Sequence, residues 1–196
     1  MCAKKDLKKE ILDTARVLFN ENSWANTSLR KIANELGISD GNLRYHYKTK
    51  EEIVLSLFGA MAEELGEVIA TVGKDFEDLP DNFISMFKRM YKYRFLFVES
   101  YFIRKEYPSY SILFNQLMES RRMLFMTEFE RLKEEGVLLW DFSDDQYELL
   151  FEQLFLISDS WMKYITTDDE AEVNKLIGYY ANLCFALLTP YLNTKK

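Results

Sequence analysis

Punctuation is scarce in this chain. Seven glycines and three prolines are all that interrupt 196 residues, and these are the strongest local breakers of regular structure. So few turn formers demand long elements joined by short connections. Long elements are helices, since strands run only about five or six residues. Apolar residues make up 48% of the chain and charged residues 29%, the balance of a globular protein. The length is enough to bury a core without disulfides or metals. The expected fold class is all-α, with about nine helices and no credible strand pair.

Hydrophobic spacing sets the elements. Leu7, Ile11, Ala15 and Leu18 mark a first helix. Leu29, Ile32, Ala33 and Leu36 lie on one face of a second, with Thr27 or Ser28 as its cap and Gly37 as its stop. Ser39 caps a third helix running to about Tyr47. Thr49 and Glu52 form a capping box for a fourth that runs to about Val72. Lys74 to Asp81 is expected to be a linker. One helix is then expected from Phe83 through the aromatic stretch Phe95 to Ile103, with a break at Glu106 to Ser109. Pro108 is suited to open the next helix, which Gly136 closes. A loop from Val137 to Ser143 carries Trp140. The last two helices run to about Ile165 and from Glu170 to about Tyr191.

The segment from Ile32 to Tyr47 carries the function. Two short helices meet there across a turn of three or four residues, as in a helix-turn-helix. Ala33 is small where the second helix must cross. Gly37 permits the turn, and Ile38 and Leu43 are apolar plugs. The second helix then offers Asn42, Arg44, Tyr45 and His46 outward, which suits the major groove of duplex DNA. Arg44 has the donors for guanine and Asn42 the pattern for adenine. Thr27, Ser28, Tyr45, His46, Lys48 and Lys50 offer donors to phosphates. Charge agrees. Residues 1–50 hold ten Lys and Arg against six Asp and Glu, whereas the remaining residues hold 15 against 26. A basic head on an acidic body points to a nucleic-acid contact at one end.

Across about residues 5–55 the chain resembles the TetR/AcrR family of bacterial transcriptional regulators. The resemblance rests on Thr27-Ser28-Leu29-Arg30-Lys31-Ile32-Ala33, Leu36-Gly37-Ile38-Ser39, Gly41-Asn42-Leu43 and Tyr45-His46-Tyr47-Lys48-Thr49-Lys50-Glu51-Glu52-Ile53. Many members carry an aromatic residue where this chain has Arg44, so a family base preference does not transfer to that position. The resemblance implies a helix-turn-helix domain over 1–50 and a helical ligand-binding and dimerisation domain over 51–196. It implies that Gly41, Tyr45, His46 and Lys50 lie at the DNA, that the body holds a pocket, and that the last two helices pair with their copies. A dimer would bind a near-palindromic operator, and a ligand would release it.

The body is rich in large apolar side chains. Phe87, Tyr91, Tyr101, Phe125, Phe129, Phe155, Asp159 and Trp161 are the candidate ligand contacts, and their character favours a small apolar or aromatic ligand. A buried charge needs a partner, and Arg94 is one conceivable partner for Asp159. Leu150, Leu154, Ile157 or Ser158, Trp161 and Ile165 form one seam for a two-fold interface. Leu176, Tyr180, Leu183, Leu187 and Tyr191 form the other.

Enzyme chemistry finds little support. His46 is the only histidine and lies in the candidate recognition helix, which leaves no Ser/His/Asp set and no Cys/His metal site. No catalytic residue, metal or cofactor is expected. Cys2 and Cys184 make no disulfide framework. The charged start lacks the apolar run of a signal peptide, and no run is long enough to span a membrane. The expected location is the cytoplasm.

Overall fold

The computed structural model describes residues 2–70, 79–138 and 143–193. Ten α-helices are present among them: α1 Cys2–Asn22, α2 Leu29–Glu35, α3 Asp40–His46, α4 Lys50–Ala70, α5 Leu79–Lys92, α6 Phe95–Val98, α7 Ser100–Glu106, α8 Pro108–Glu134, α9 Asp144–Ser160 and α10 Glu170–Leu188. Short 3-10 turns follow α9 and α10. The described residues form no sheet, only an isolated bridge between Leu138 and Leu192. The loop around Trp140 and residues 71–78 lie outside the described residues.

Most boundaries follow local chemistry. Ser28 accepts the Lys31 N–H at 3.2 Å and Ser39 the Asn42 N–H at 3.1 Å. Thr49 accepts the Glu52 N–H at 3.1 Å, while the Glu52 carboxylate reaches back to the Lys48 N–H at 2.7 Å. That is a capping box shifted by one residue in its return bond. Asp169 caps α10 by accepting the Glu172 N–H at 2.9 Å. Pro108 opens α8 as its spacing suggests. Pro80, expected in a linker, instead stands in the first turn of α5, where a missing N–H costs nothing.

The single helix expected from Phe83 to Ile103 is three helices. The cause is a side chain inserted into the backbone ladder. The Asn20 amide donates to the Lys92 carbonyl at 2.9 Å, and its oxygen accepts the Phe95 N–H at 3.1 Å. Both groups are thereby withdrawn from helical bonding. A second break follows at Glu99, whose carboxylate accepts the Trp24 N–H at 2.7 Å.

The chain divides into two compact units. One comprises Met1–Glu64 with Lys92–Ile112, the other Leu65–Tyr91 with Leu113–Lys196. In the first, Ile11, Ala15, Phe19, Ile32, Ala33, Leu43, Ile53 and Val54 form the core. In the second, Trp161 packs its ring against Phe87, Tyr91 and Tyr180, with centroids 5.4, 6.0 and 5.6 Å away. Leu150, Leu154 and Trp161, read from sequence as an interface seam, are buried within this unit. The face that α9 and α10 leave uncovered carries Leu149, Leu156, Tyr179 and Leu183 instead. The stripe is offset by a residue or two because the inner face of α9 is claimed by α8 and α10.

Candidate nucleic-acid interface and ligand cavity

The turn between α2 and α3 is built by Gly37. Its φ of +66° is the left-handed conformation that side chains resist. The Gly37 N–H bonds to the Asn34 carbonyl at 3.1 Å and the Ile38 N–H to the Ala33 carbonyl at 3.0 Å, closing α2. Ile32, Ala33 and Leu43 are essentially inaccessible. With Leu43 pinned inward, α3 presents Gly41, Asn42, Arg44 and Tyr45 to solvent, with His46 half-buried against the Tyr45 ring.

The other sequence-predicted contacts divide by burial. Ser28 and Lys48 are exposed. Thr27 is fully buried, and its hydroxyl faces the carbonyls of Ser23 at 2.9 Å and Leu18 at 3.3 Å. Its side chain is spent inside the protein. Arg44 Nε donates to Asp40 at 2.7 Å and a guanidinium N–H to the Lys48 carbonyl at 3.2 Å. The Lys50 ammonium lies 4.4 Å from the centre of the Trp24 ring and donates to the Trp24 carbonyl at 3.0 Å. Burial holds its pKa below the ordinary lysine value, against the upward pull of Glu106 and Glu99.

The second unit encloses an apolar cavity of about 200 Å³. Helices α8 and α9 form its long walls and run antiparallel. Arg121 meets Ser158 and Asp159 at one end, while Glu130 accepts from the Tyr147 hydroxyl at 3.0 Å towards the other. Phe125, Phe129 and Phe155 line the cavity together with Phe83, Phe151 and Leu132. Of the remaining sequence-predicted contacts, Phe87, Tyr91 and Trp161 form the separate aromatic cluster. Tyr101 is exposed on α7, and Asp159 stands behind the cavity wall, bonded to Arg121 at 3.2 Å. Arg121, from α8, is thus the partner of Asp159 in the place suggested for Arg94.

Arg121 itself lines the cavity, and sequence reading passed over it. The available signal was its position four residues before Phe125 on an otherwise apolar face, masked by its neighbour Arg122. Cys184 also contributes to the wall. Burial pushes its thiol up to about 12, so near neutral pH it is an uncharged, poorly nucleophilic surface. No group of three or more metal-ligating side chains occurs among the described residues, and no described helix is long and apolar enough to cross a membrane.

Comparison with known proteins places this architecture. Residues 57–196 match the family described as TetR, bacterial transcriptional repressor. Residues 11–57 match the family of bacterial regulatory proteins, tetR family. The fatty acid metabolism regulator protein of Bacillus subtilis (strain 168) is 31% identical over 78 residues, which are 40% of this chain and 39% of that protein. The chain thus spans well under half the length of the curated relative it matches. A TetR-family transcriptional regulator from Marinobacter aquaeolei VT8 shares the fold with a TM-score of 0.82 at 22% identity, over 96% of this chain and 92% of that one. The ketosteroid transcriptional regulator KstR2 of Mycobacterium tuberculosis gives 0.70 at 17% identity, over 95% of each chain. With family matches running from the first helix to the last residue, the chain belongs to the TetR family of bacterial transcriptional regulators.

Proposed function

We propose that this regulator is a repressor that acts as a homodimer on a near-palindromic operator in the cytoplasm and is released by a small apolar ligand. The observation that carries the reading is the outward polar edge of α3, held by the inward anchor Leu43. Gly41 sharpens it. A methyl group there would meet nothing within 4 Å, so the protein's own packing gives no reason for a glycine. Glycine inside a helix costs about 0.5–1 kcal/mol relative to alanine. Close approach of a DNA backbone supplies the reason. The pairing of Arg44 with Asp40 is an exposed ion pair, worth about 0–1 kcal/mol, and is readily exchanged for a base or a phosphate. Lys50 uses one N–H on the Trp24 carbonyl and keeps donors for a phosphate.

The uncovered face of α9 and α10 supports the dimer. Two-fold pairing would bring Leu149, Leu156, Tyr179 and Leu183 of each copy into a four-helix seam. The two heads would then enter successive major grooves about 34–36 Å apart. A ligand in the cavity would favour a different dimer shape in which the heads no longer fit together. Helices α4 and α8 have residues in both units, so each is a continuous path for that coupling.

Salt dependence and sequence selection test the head. Arg44→Ala should weaken specific binding and relax preference at one base position, by about 1–3 kcal/mol if it reads a guanine. Lys50→Ala should weaken binding to every sequence and reduce the salt slope by about one. Gly41→Ala should stabilise the fold slightly while weakening DNA binding. Variants at Arg44 and Lys50 that both bind as the parent does would overturn the assignment of α3.

A further inference from the structure

The cavity has one charged end. Arg121 stands on α8 eleven residues before Leu132, about 16 Å away along a helix rising about 1.5 Å per residue. A volume of about 200 Å³ spread along that length is a narrow channel, suited to an alkyl chain and not to a fused polycycle. Its walls are Phe83, Phe125, Phe129, Phe151 and Phe155 with aliphatic neighbours. Leu124 lines it and is still 47% exposed, which marks a mouth on α8.

The guanidinium is fixed in place. Its carbon lies 5.3 Å from the centre of the Phe155 ring. One terminal nitrogen donates to Asp159 at 3.2 Å and the other to Ser158 at 3.2 Å. Asp159 therefore engages Arg121 through one nitrogen, not through the paired contact that makes arginine–carboxylate recognition strong. Arginine carries five donors, so part of the fork remains to be used. Glu128, the carboxylate on the cavity wall, is held by Arg131, and does not compete for it. An unspent guanidinium at the end of an apolar channel matches one kind of guest.

We propose that the ligand is an amphipathic monocarboxylic acid, with its head on Arg121 and an unbranched tail laid along α8 towards Leu132. The inference rests on the reading of the cavity as the effector site. The incoming carboxylate takes the Arg121 fork edge-on and displaces Asp159. Burial already raises the Asp159 pKa, against the lowering pull of Arg121, Ser158 and Lys163, so its displaced carboxylate is poised to take up a proton instead of remaining as a second anion.

The test uses the full-length protein with decanoate, methyl decanoate and decylamine, read by melting temperature and by release of operator DNA. Decanoate should bind at least tenfold tighter than either neutral or cationic analogue. Asp159→Asn should widen that preference by removing the competing charge. Arg121→Gln alone leaves Asp159 unpaired, so Arg121→Gln with Asp159→Asn is the cleaner variant. It should bind decanoate and its ester alike. If the ester or the amine binds the parent as well as decanoate does, the carboxylate inference falls while the effector cavity stands. If none of the three binds and none releases DNA, the cavity reading fails and takes the inference with it.

Discussion

Leu156→Glu combined with Tyr179→Glu should turn the protein into a monomer and weaken binding to the full operator about 10²- to 10⁴-fold, the gain that linking two binding modules confers. The two side chains are 60% and 61% exposed, so neither substitution removes internal packing. Their removal leaves the α2–α3 head untouched. What is lost is the tether that makes the second groove contact intramolecular. Sedimentation should show a single chain, and gel retardation should show equal, weak affinity for a half-site and a full site. A double variant that remains dimeric would move the interface elsewhere on the surface.

Trp161→Ala should be the most destabilising single change in the second unit, costing about 3–5 kcal/mol. For a chain of this size each kilocalorie shifts the melting temperature by about 2–4 °C, so the fall should be about 6–20 °C. Trp161 is 1% exposed, and three rings pack on it. Its indole N–H is buried without a hydrogen-bond partner. Trp161→Phe, which keeps an aromatic face and removes that orphaned donor, should therefore recover most of the loss. Thermal melts of the two variants side by side check both halves of the argument. Equal melting temperatures for Ala and Phe would show that ring packing is not what holds this cluster.

The sequence made the head legible because its determinants are local. Ser28, Gly37 and Ser39 each act within a few residues of themselves, and the spacing of Ile32, Ala33 and Leu43 needs only a helical period to be read. The segment from Phe83 to Ile103 was not legible in the same way. Its breaks are imposed by Asn20 and by the Trp24 N–H, more than seventy positions upstream. No pattern inside the segment announces them. Thr27 illustrates a subtler failure. A threonine ahead of a helix looks like a cap or a phosphate donor, and only the carbonyls of Leu18 and Ser23 reveal that its hydroxyl points inward. Among the aromatics, type alone did not separate cavity lining from solid core. Phe125 and Trp161 read alike along the chain, and the difference arises from which helix faces them. The interface seam slipped by a residue or two for the same reason, since a helix buried on one flank and exposed on the other carries apolar side chains on both.

Trp24 has a consequence for how such a protein changes over generations. Its carbonyl and ring hold Lys50, and its N–H is held by Glu99. Positions 24, 50 and 99 thus form one hereditary unit scattered across the gene. A lineage that alters the DNA-facing lysine disturbs the anchor of a distant helix, and one that alters the anchor disturbs the lysine, so drift at either place is answerable to the other.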